Sequence, residues 1–461
     1  MQGLKAKTIE EVLALPDEEI DIATAALILS KQWDSTVDIE KYRRQIDEMA
    51  TLLKPIVAKA QPPDTIVKSI NDYIFREFRD VPASAIAPII LLQASQGREG
   101  KVDEKLFLLH CVLDRKRADC VGLSMLYLSL SERLNLPIYG VIVPNHFFVR
   151  YDDNMTRINI ETTGKRKSRS DTDYTQKSKV PIGTDNSYLV NLSKKETVGC
   201  FLINLGAAYN SQGKIGEAIR LLEFATSITP NLAEAHVNLG VAYAMQGKSE
   251  AAIVEFRAAI LINPNLVQAH VTLGAIFIDQ GKVEEAATAL KTAISINPNL
   301  AEAYVNLGVI YTYQGKLEEA IAALKTAIRI NPKQSAAHVN LGNIYLEQGN
   351  VEKAIASYKT GISINPNLAE AHNNLGIAYS NQGKLEEAIT SCKNAISINP
   401  NLALAHYSLA CCYSLRNSKD QAIESLEKTI ALDASYTDMA KVDEDFDSIK
   451  GSAEFQNLVG K

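Results

Sequence analysis

The sequence predicts a mainly α chain, in which an amino-terminal α+β domain precedes an α-solenoid of helix-turn-helix repeats. Three observations carry this reading. From Gly199 onward the chain copies itself every 34 residues, with Pro230, Pro264, Pro298, Pro332, Pro366 and Pro400 evenly spaced. Glycines from Gly206 to Gly376, aromatic residues from Tyr209 to Tyr413 and alanines from Ala218 to Ala422 follow the same period. The amino-terminal part lacks that period and shows helical spacing followed by short strand-like runs with tight turns, an antiparallel α+β pattern.

In chain order, Asp21 to Trp33 and Ile39 to Ala60 show helical spacing of apolar residues, and Asp64 is placed to cap a third helix running to Phe78. His110 and Cys111 lie in an apolar helical run and read as core. Arg117-Ala-Asp-Cys120 opens an amphipathic helix carrying Leu123, Leu126, Tyr127, Leu130 and Leu134, which ends at Leu136-Pro137. Strand-like runs follow at Ile138–Val143, His146–Tyr151 and Arg157–Glu161, joined by Pro144-Asn145 and Asp152-Asp153-Asn154. The basic stretch Lys165-Arg-Lys-Ser-Arg169, with Lys177 and Lys179, reads as a solvated loop before the repeats.

Seven units fit the period: 199–232, 233–266, 267–300, 301–334, 335–368, 369–402 and a worn 403–436. Each opens with one helix, turns at a glycine (Gly213, Gly247, Gly281, Gly315, Gly349, Gly383) and runs a second helix toward a proline. Glycine tolerates the left-handed backbone past a helix end, and proline stops the second helix because it has no N–H. In the last unit Asn417 and Ala434 replace them. The tail 437–461 turns polar and acidic and reads as a carboxy-terminal cap, leaving 1–198 as the amino-terminal domain. The pattern resembles the tetratricopeptide family, whose repeat has this length.

At about 100° per residue, the second, sixth, ninth and thirteenth positions of each unit face the groove. The sixth position holds Asn204, Asn238, Asn306, Asn340 and Asn374, with Thr272 and Ser408 in the other two units. Asparagine is a poor helix former, so its return has one of two causes. Either the amides meet the backbone of an extended peptide, or duplication copied a neutral residue. A similar ladder lines the superhelix of protein O-GlcNAc transferases, so the resemblance implies a protein or peptide partner in the groove. The second positions (Cys200, Glu234, Gln268, Glu302, Ala336, Glu370, Leu404) carry no cation, against the carboxylate clamp of chaperone-tail receptors. His236, His270, His338, His372 and His406 share the fourth position. Helices packed about 8–10 Å apart keep such residues beyond Zn–N bonds of about 2 Å, so they read as packing and no metal is expected.

With those five set aside, His110 and His146 remain of seven histidines. Cys120 stands at a helix amino terminus, where the dipole favours thiolate. His146 begins a strand, and Glu161 and Asn159 lie two residues apart near the end of the next. Thiolate, imidazole base and a polar orienting group are the parts of nucleophilic cysteine chemistry. A small buried thiol and a satisfied core histidine are the alternative. Ala118-Asp-Cys120-Val-Gly-Leu-Ser-Met-Leu-Tyr127, Glu132-Arg-Leu-Asn-Leu-Pro137 and Pro144-Asn-His146-Phe-Phe-Val-Arg150 resemble the bacterial SirB-type branch of the transglutaminase-like superfamily over roughly Asp21 to Leu192. The resemblance implies Cys120 as nucleophile and His146 as base, acting on amide bonds by hydrolysis or transfer, without a cofactor. The superfamily's acid is usually aspartate in Asp-x-Thr, whereas Glu161-Thr-Thr163 stands here, so Glu161 or Asn159 orients the ring. Asp119, beside the sulfur, opposes thiolate formation. An adaptor without activity, binding proteins at both ends, is the other reading.

The totals limit the partners. A net charge of -6 argues against general affinity for nucleic acid or an anionic membrane surface. The opening twenty residues lack the apolar core of a signal peptide, and the apolar run Ala85–Leu92, interrupted by Pro88, is too short to span a bilayer. Six scattered cysteines suit a reducing compartment, so a cytoplasmic chain is expected.

Overall fold

A helical stretch buried on every side, Val121 to Ser131, is the hub of the amino-terminal fold. The computed structural model describes residues 5–80, 103–144, 146–163, 169–178, 180 and 188–460. The apolar run at 85–92, Asn145, the basic residues 165–168 and Lys179 lie outside the described residues. The backbone forms two units, 1–269 and 270–461.

In the first unit, α1 (Ile9–Leu13), α2 (Ile22–Trp33), α3 (Ile39–Val57) and α4 (Pro63–Glu77) lead the chain. Asp21 caps α2 by accepting the Thr24 N–H at 2.7 Å. Asp64 does not cap α4. It lies inside the first turn, because Pro63 takes the first helical position and Pro62 before it has no side-chain acceptor. The two-residue strands β1 (Arg79–Asp80) and β2 (Arg117–Ala118), which precede and follow α5 (Leu109–Arg115), pair in parallel. Then α6 (Cys120–Arg133) packs against α2, α3 and α5 and against β3 (Ile138–Val143) and β4 (His146–Asp152). β5 (Arg157–Ile160) completes an antiparallel β3-β4-β5 sheet with Val143 opposite His146 and Val149 opposite Ile160. The tight turn is set by Asp153, whose Oδ1 accepts the Met155 and Thr156 N–H groups.

α7 (Asp171–Ser178) precedes the segment 188–192, which runs along the other side of β3. Tyr188 bridges Ile142 in parallel, Leu189 N–H reaches Ile142 O at 3.0 Å, and Leu192 N–H reaches Gly140 O at 2.9 Å. Ser193 and Glu196 then form a capping box for α8 (Lys194–Ser211), the first repeat helix. The Asp17 carboxylate holds the Lys194 and Lys195 N–H groups, and Trp33 lies 4.7 Å from Tyr209, so this repeat shares the domain's core.

In the second unit the helix pairs Ala301–Tyr313 with Leu317–Ile330, Ser335–Glu347 with Val351–Ile364, Ala369–Asn381 with Leu385–Ile398, and Ala403–Leu415 with Lys419–Leu432 repeat one geometry. Helices of a pair touch closely: a Cβ on Gly308 would lie 2.7 Å from Leu324 Cγ. Their joints are left-handed, with φ +69° at Gly315 and φ 62° at Asn417 in the worn unit. The tail folds into Tyr436–Val442 and Ala453–Val459, burying Phe446 and Phe455 with Tyr407. Among the described residues no helix is long and apolar enough to cross a membrane.

Candidate functional site

Cys120 is the first residue of α6 because Asp119 caps that helix, accepting the Gly122 N–H at 2.8 Å. The backbone N–H of Phe147, the residue after His146, is directed at the Cys120 sulfur. Thr162, just beyond β5, bonds to Ser124 Oγ at 3.0 Å and to the Cys120 carbonyl at 3.3 Å, pinning the Glu161 segment to the first turn of α6. His146 Nε2 and Glu161 Oε1 are 2.7 Å apart. The extra methylene of glutamate thus leaves the carboxylate within reach of the ring. Tyr174 OH donates to Glu161 Oε2 at 2.8 Å, and the Tyr174 ring stacks on Phe148 at 4.3 Å. Glu161 is therefore held at both oxygens, and with Nε2–H donating to it, Nδ1 is the basic nitrogen of His146.

Asn159 directs its amide elsewhere. Its Oδ1 accepts from Arg150 Nε at 2.7 Å, and its Nδ2 donates to Arg169 O and to Asp171 Oδ1. Arg150 is 1% exposed and also binds Asp171, Leu189 O and Asn191, tying β4, β5, α7 and the 188–192 segment together. Neither Arg150 nor Tyr174 is assigned a role by the sequence reading. The available signal is an arginine inside the run Phe147-Phe-Val-Arg150-Tyr151, which demands buried partners.

The electrostatics correct one expectation. Burial, and next the Asp119 charge, push the Cys120 thiol up to about 12, against the helix-dipole argument for an easily formed thiolate. Burial raises Asp119 itself to about 6, with Asp103 adding to the rise and the Gly122 and Val121 N–H groups opposing it. Burial also acts to raise Glu161, but the His146 and Tyr174 hydrogen bonds outweigh it, and its carboxyl sits below the usual range.

The model of the transglutaminase-like superfamily matches residues 40–201. That of the TPR repeat matches 206–247, and that of the cilia and flagella-associated protein 70 C-terminal domain matches 229–444. The chain joins a transglutaminase-like domain to tetratricopeptide repeats. Among solved structures, MamA is 30% identical with TM-score 0.31, over 36% of this chain and 96% of that one. A thermophilic TPR protein of Thermus thermophilus is 26% identical with TM-score 0.35, over 39% of this chain and 98% of that one. The Cut9–Hcn1 structure of the APC/C is 22% identical with TM-score 0.42, over 48% of this chain and 42% of that one, so under half of its length is spanned. No curated protein matches the chain.

On the tetratricopeptide inner face the asparagine ladder splits. Asn238 is 1% exposed, and its Nδ2 donates to Glu234 O of its own helix at 2.8 Å. Asn204 turns its Nδ2 to Cys200 O in the same way. The expectation that Asn238 meets a peptide fails here, because the domain covers this part of the face: Tyr188 OH donates to the buried Glu234 at 2.7 Å. Asn306, Asn340 and Asn374 are partly open, and Asn374 Nδ2 donates to Asn343 Oδ1 at 3.0 Å. The fourth-position histidines clamp loops: Nε2 of His236, His338, His372 and His406 donates to the carbonyl of Pro230, Pro332, Pro366 and Pro400 at 3.0–3.2 Å. Among the described residues, Cys411, Asp443 and Asp445 bring possible ligand atoms within 4.8 Å of one another, with Asp443 already accepting from Tyr407 OH at 2.6 Å.

Proposed function

We propose that the transglutaminase-like domain is a thiol acyl-transfer enzyme acting on amide bonds, and that the open tetratricopeptide face holds a polypeptide. The observation that carries the enzymatic part is the His146–Glu161 contact at 2.7 Å, with a main-chain N–H beside His146 directed at the Cys120 sulfur. In this reading the Cys120 S–H proton passes to His146 Nδ1 as sulfur adds to the amide carbon. Glu161 stabilises the imidazolium through Nε2. The C–N bond breaks, the leaving amine takes the proton from Nδ1, and water or a second amine resolves the thioester. Because burial raises the thiol to about 12, Cys120 rests as a neutral thiol, and deprotonation belongs to the attack itself.

The test is His146-dependent reactivity. Iodoacetamide should alkylate Cys120 in the full chain at neutral pH, read by peptide mass mapping, and His146→Ala should slow it at least tenfold. Equal rates in the two proteins would remove the base and leave an adaptor, the reading that the raised thiol favours. For the face, Asn306→Ala with Asn340→Ala should lower retention of a random-sequence peptide pool. Unchanged retention returns those residues to inherited duplication.

A further inference from the structure

We infer that the repeat face around Glu370 binds the phenol side chain of a tyrosine in the polypeptide partner. This rests on the polypeptide-holding reading above and names what the face selects. The chain contains its own template. Tyr188 is 4% exposed and hangs from the segment beside β3 onto the inner face, where its hydroxyl donates to Glu234 Oε2 at 2.7 Å. The same hydroxyl is bonded by the Asn263 side chain, and Cys200 stands close by. In repeat terms the tyrosine site is a small residue at the second position of one unit, a glutamate at the second position of the next, and the asparagine that closes that next unit's second helix.

This combination recurs at Ala336, Glu370 and Asn399. The backbone recurs with it. Asn263 and Asn399 close their helices at φ -132°, ψ 93° and φ -130°, ψ 93°. Each folds Oδ1 onto the N–H two residues later at 3.1 Å, which leaves Nδ2 as the donor for a ligand oxygen. One difference matters: Ala336, Glu370 and Asn399 are all exposed, whereas Glu234 is covered by Tyr188. At the second position before Glu302 the sequence has the longer Gln268 where the template has a small residue. A carboxylate acceptor beside an amide donor fits a phenol, gains nothing from phenylalanine, and repels a phosphotyrosine dianion.

A fluorescent synthetic peptide with the sequence of residues 186–192, which includes Tyr188, is titrated into the full chain and followed by anisotropy. The expected result is saturable binding that weakens about tenfold when the peptide's tyrosine becomes phenylalanine, the effect of one hydrogen bond to a charged group. The phosphotyrosine peptide should bind at least as weakly. Glu370→Ala should weaken the tyrosine peptide by a similar factor and leave the phenylalanine peptide unchanged, while Glu302→Ala changes neither. Equal binding of the tyrosine and phenylalanine peptides, no binding of either, or an indifferent Glu370→Ala overturns the tyrosine site. The random-pool experiment with Asn306→Ala and Asn340→Ala is independent of tyrosine, so a failure here leaves that reading to stand or fall on its own result.

Discussion

Glu234 and Glu370 hold the same place in their repeats, yet Glu234 is 1% exposed beneath Tyr188 and Glu370 faces solvent. The difference teaches that a repeat position has no fixed role. In the first unit the second and sixth positions are interface, fused to the transglutaminase-like domain through Tyr188, Leu192 and α8. In the second unit Ala336 and Glu370 are exposed and Asn340 and Asn374 half-open at these positions, and only in the last repeat is one of them, Ser408, buried. One 34-residue pattern thus serves as foundation in one region and as open inner face in the other.

The largest expected effect breaks this contrast at its anchor. Tyr188→Ala removes a buried ring and strips the Glu234 carboxylate of a donor inside the fold. A loss of about 3–5 kcal/mol from the first unit follows, between a large core truncation and a broken buried polar pair. Tyr313, a groove-face tyrosine of the second unit, is 71% exposed, and Tyr313→Ala should stay within about 0.5 kcal/mol. Guanidinium unfolding of the full chain reads both. Equal effects would mean that Tyr188 is no anchor.

The next effect separates the cysteines of the two regions. Asp119→Asn keeps a helix cap but removes the negative charge that, after burial, most raises the Cys120 thiol. Alkylation of Cys120 at pH 8 should rise up to about tenfold, one pKa unit of relief. The gain should fade below about pH 6, where Asp119 is already protonated. Cys392, fully buried in the second unit, should show no change. A rise at Cys120 that persists at pH 5 would assign the effect to altered packing instead of charge.

Glu161 gives a weaker effect with a defined sign. Its carboxyl is lowered in the folded chain, so it contributes stability in full above the ordinary glutamate value of about 4.3. That contribution is lost as pH falls through the lowered native value. Glu161→Gln should therefore cost stability at pH 6–7, by about 1–2 kcal/mol for a charged hydrogen bond, and converge with the parent protein in acid. Thermal unfolding at a series of pH values checks it. A constant gap at every pH would point to lost shape complementarity.

Most of the fold was legible because periodicity is local. Proline and glycine spacing set helix ends, and β3, β4 and β5 followed from runs of β-branched and aromatic residues. The Cys120, His146 and Glu161 positions were legible only as candidates, since spacing along the chain does not fix distance across α6 and the sheet. What covers Asn238 was not legible, because the 188–192 segment carries no period and is placed by a strand edge and the Arg150 network. Asp64 misled because an acidic residue near a helix start suits both the cap and the first turn, and the adjacent prolines decided between them.

The turns are where the two regions agree, and they give the smallest effect. Gly213 in the first unit and Gly383 in the second adopt φ +74° and +77°, each with nothing within 4 Å of where a Cβ would stand. Asn417 is bent the same way, at φ 62°, without glycine's freedom. Asparagine tolerates this conformation better than most residues, so the strain is modest. Asn417→Gly relieves it but also loosens the unfolded chain, and the two terms oppose each other. A net gain of about 0.5 kcal/mol or less is expected in the last repeat, while Gly383→Ala should cost about 1 kcal/mol from conformation alone. Hydrogen exchange in the helices Ala403–Leu415 and Lys419–Leu432 is the sensitive measurement. Slower exchange there, with no change in 188–211, would show that the worn repeat is limited by its own joint and that the two regions respond separately.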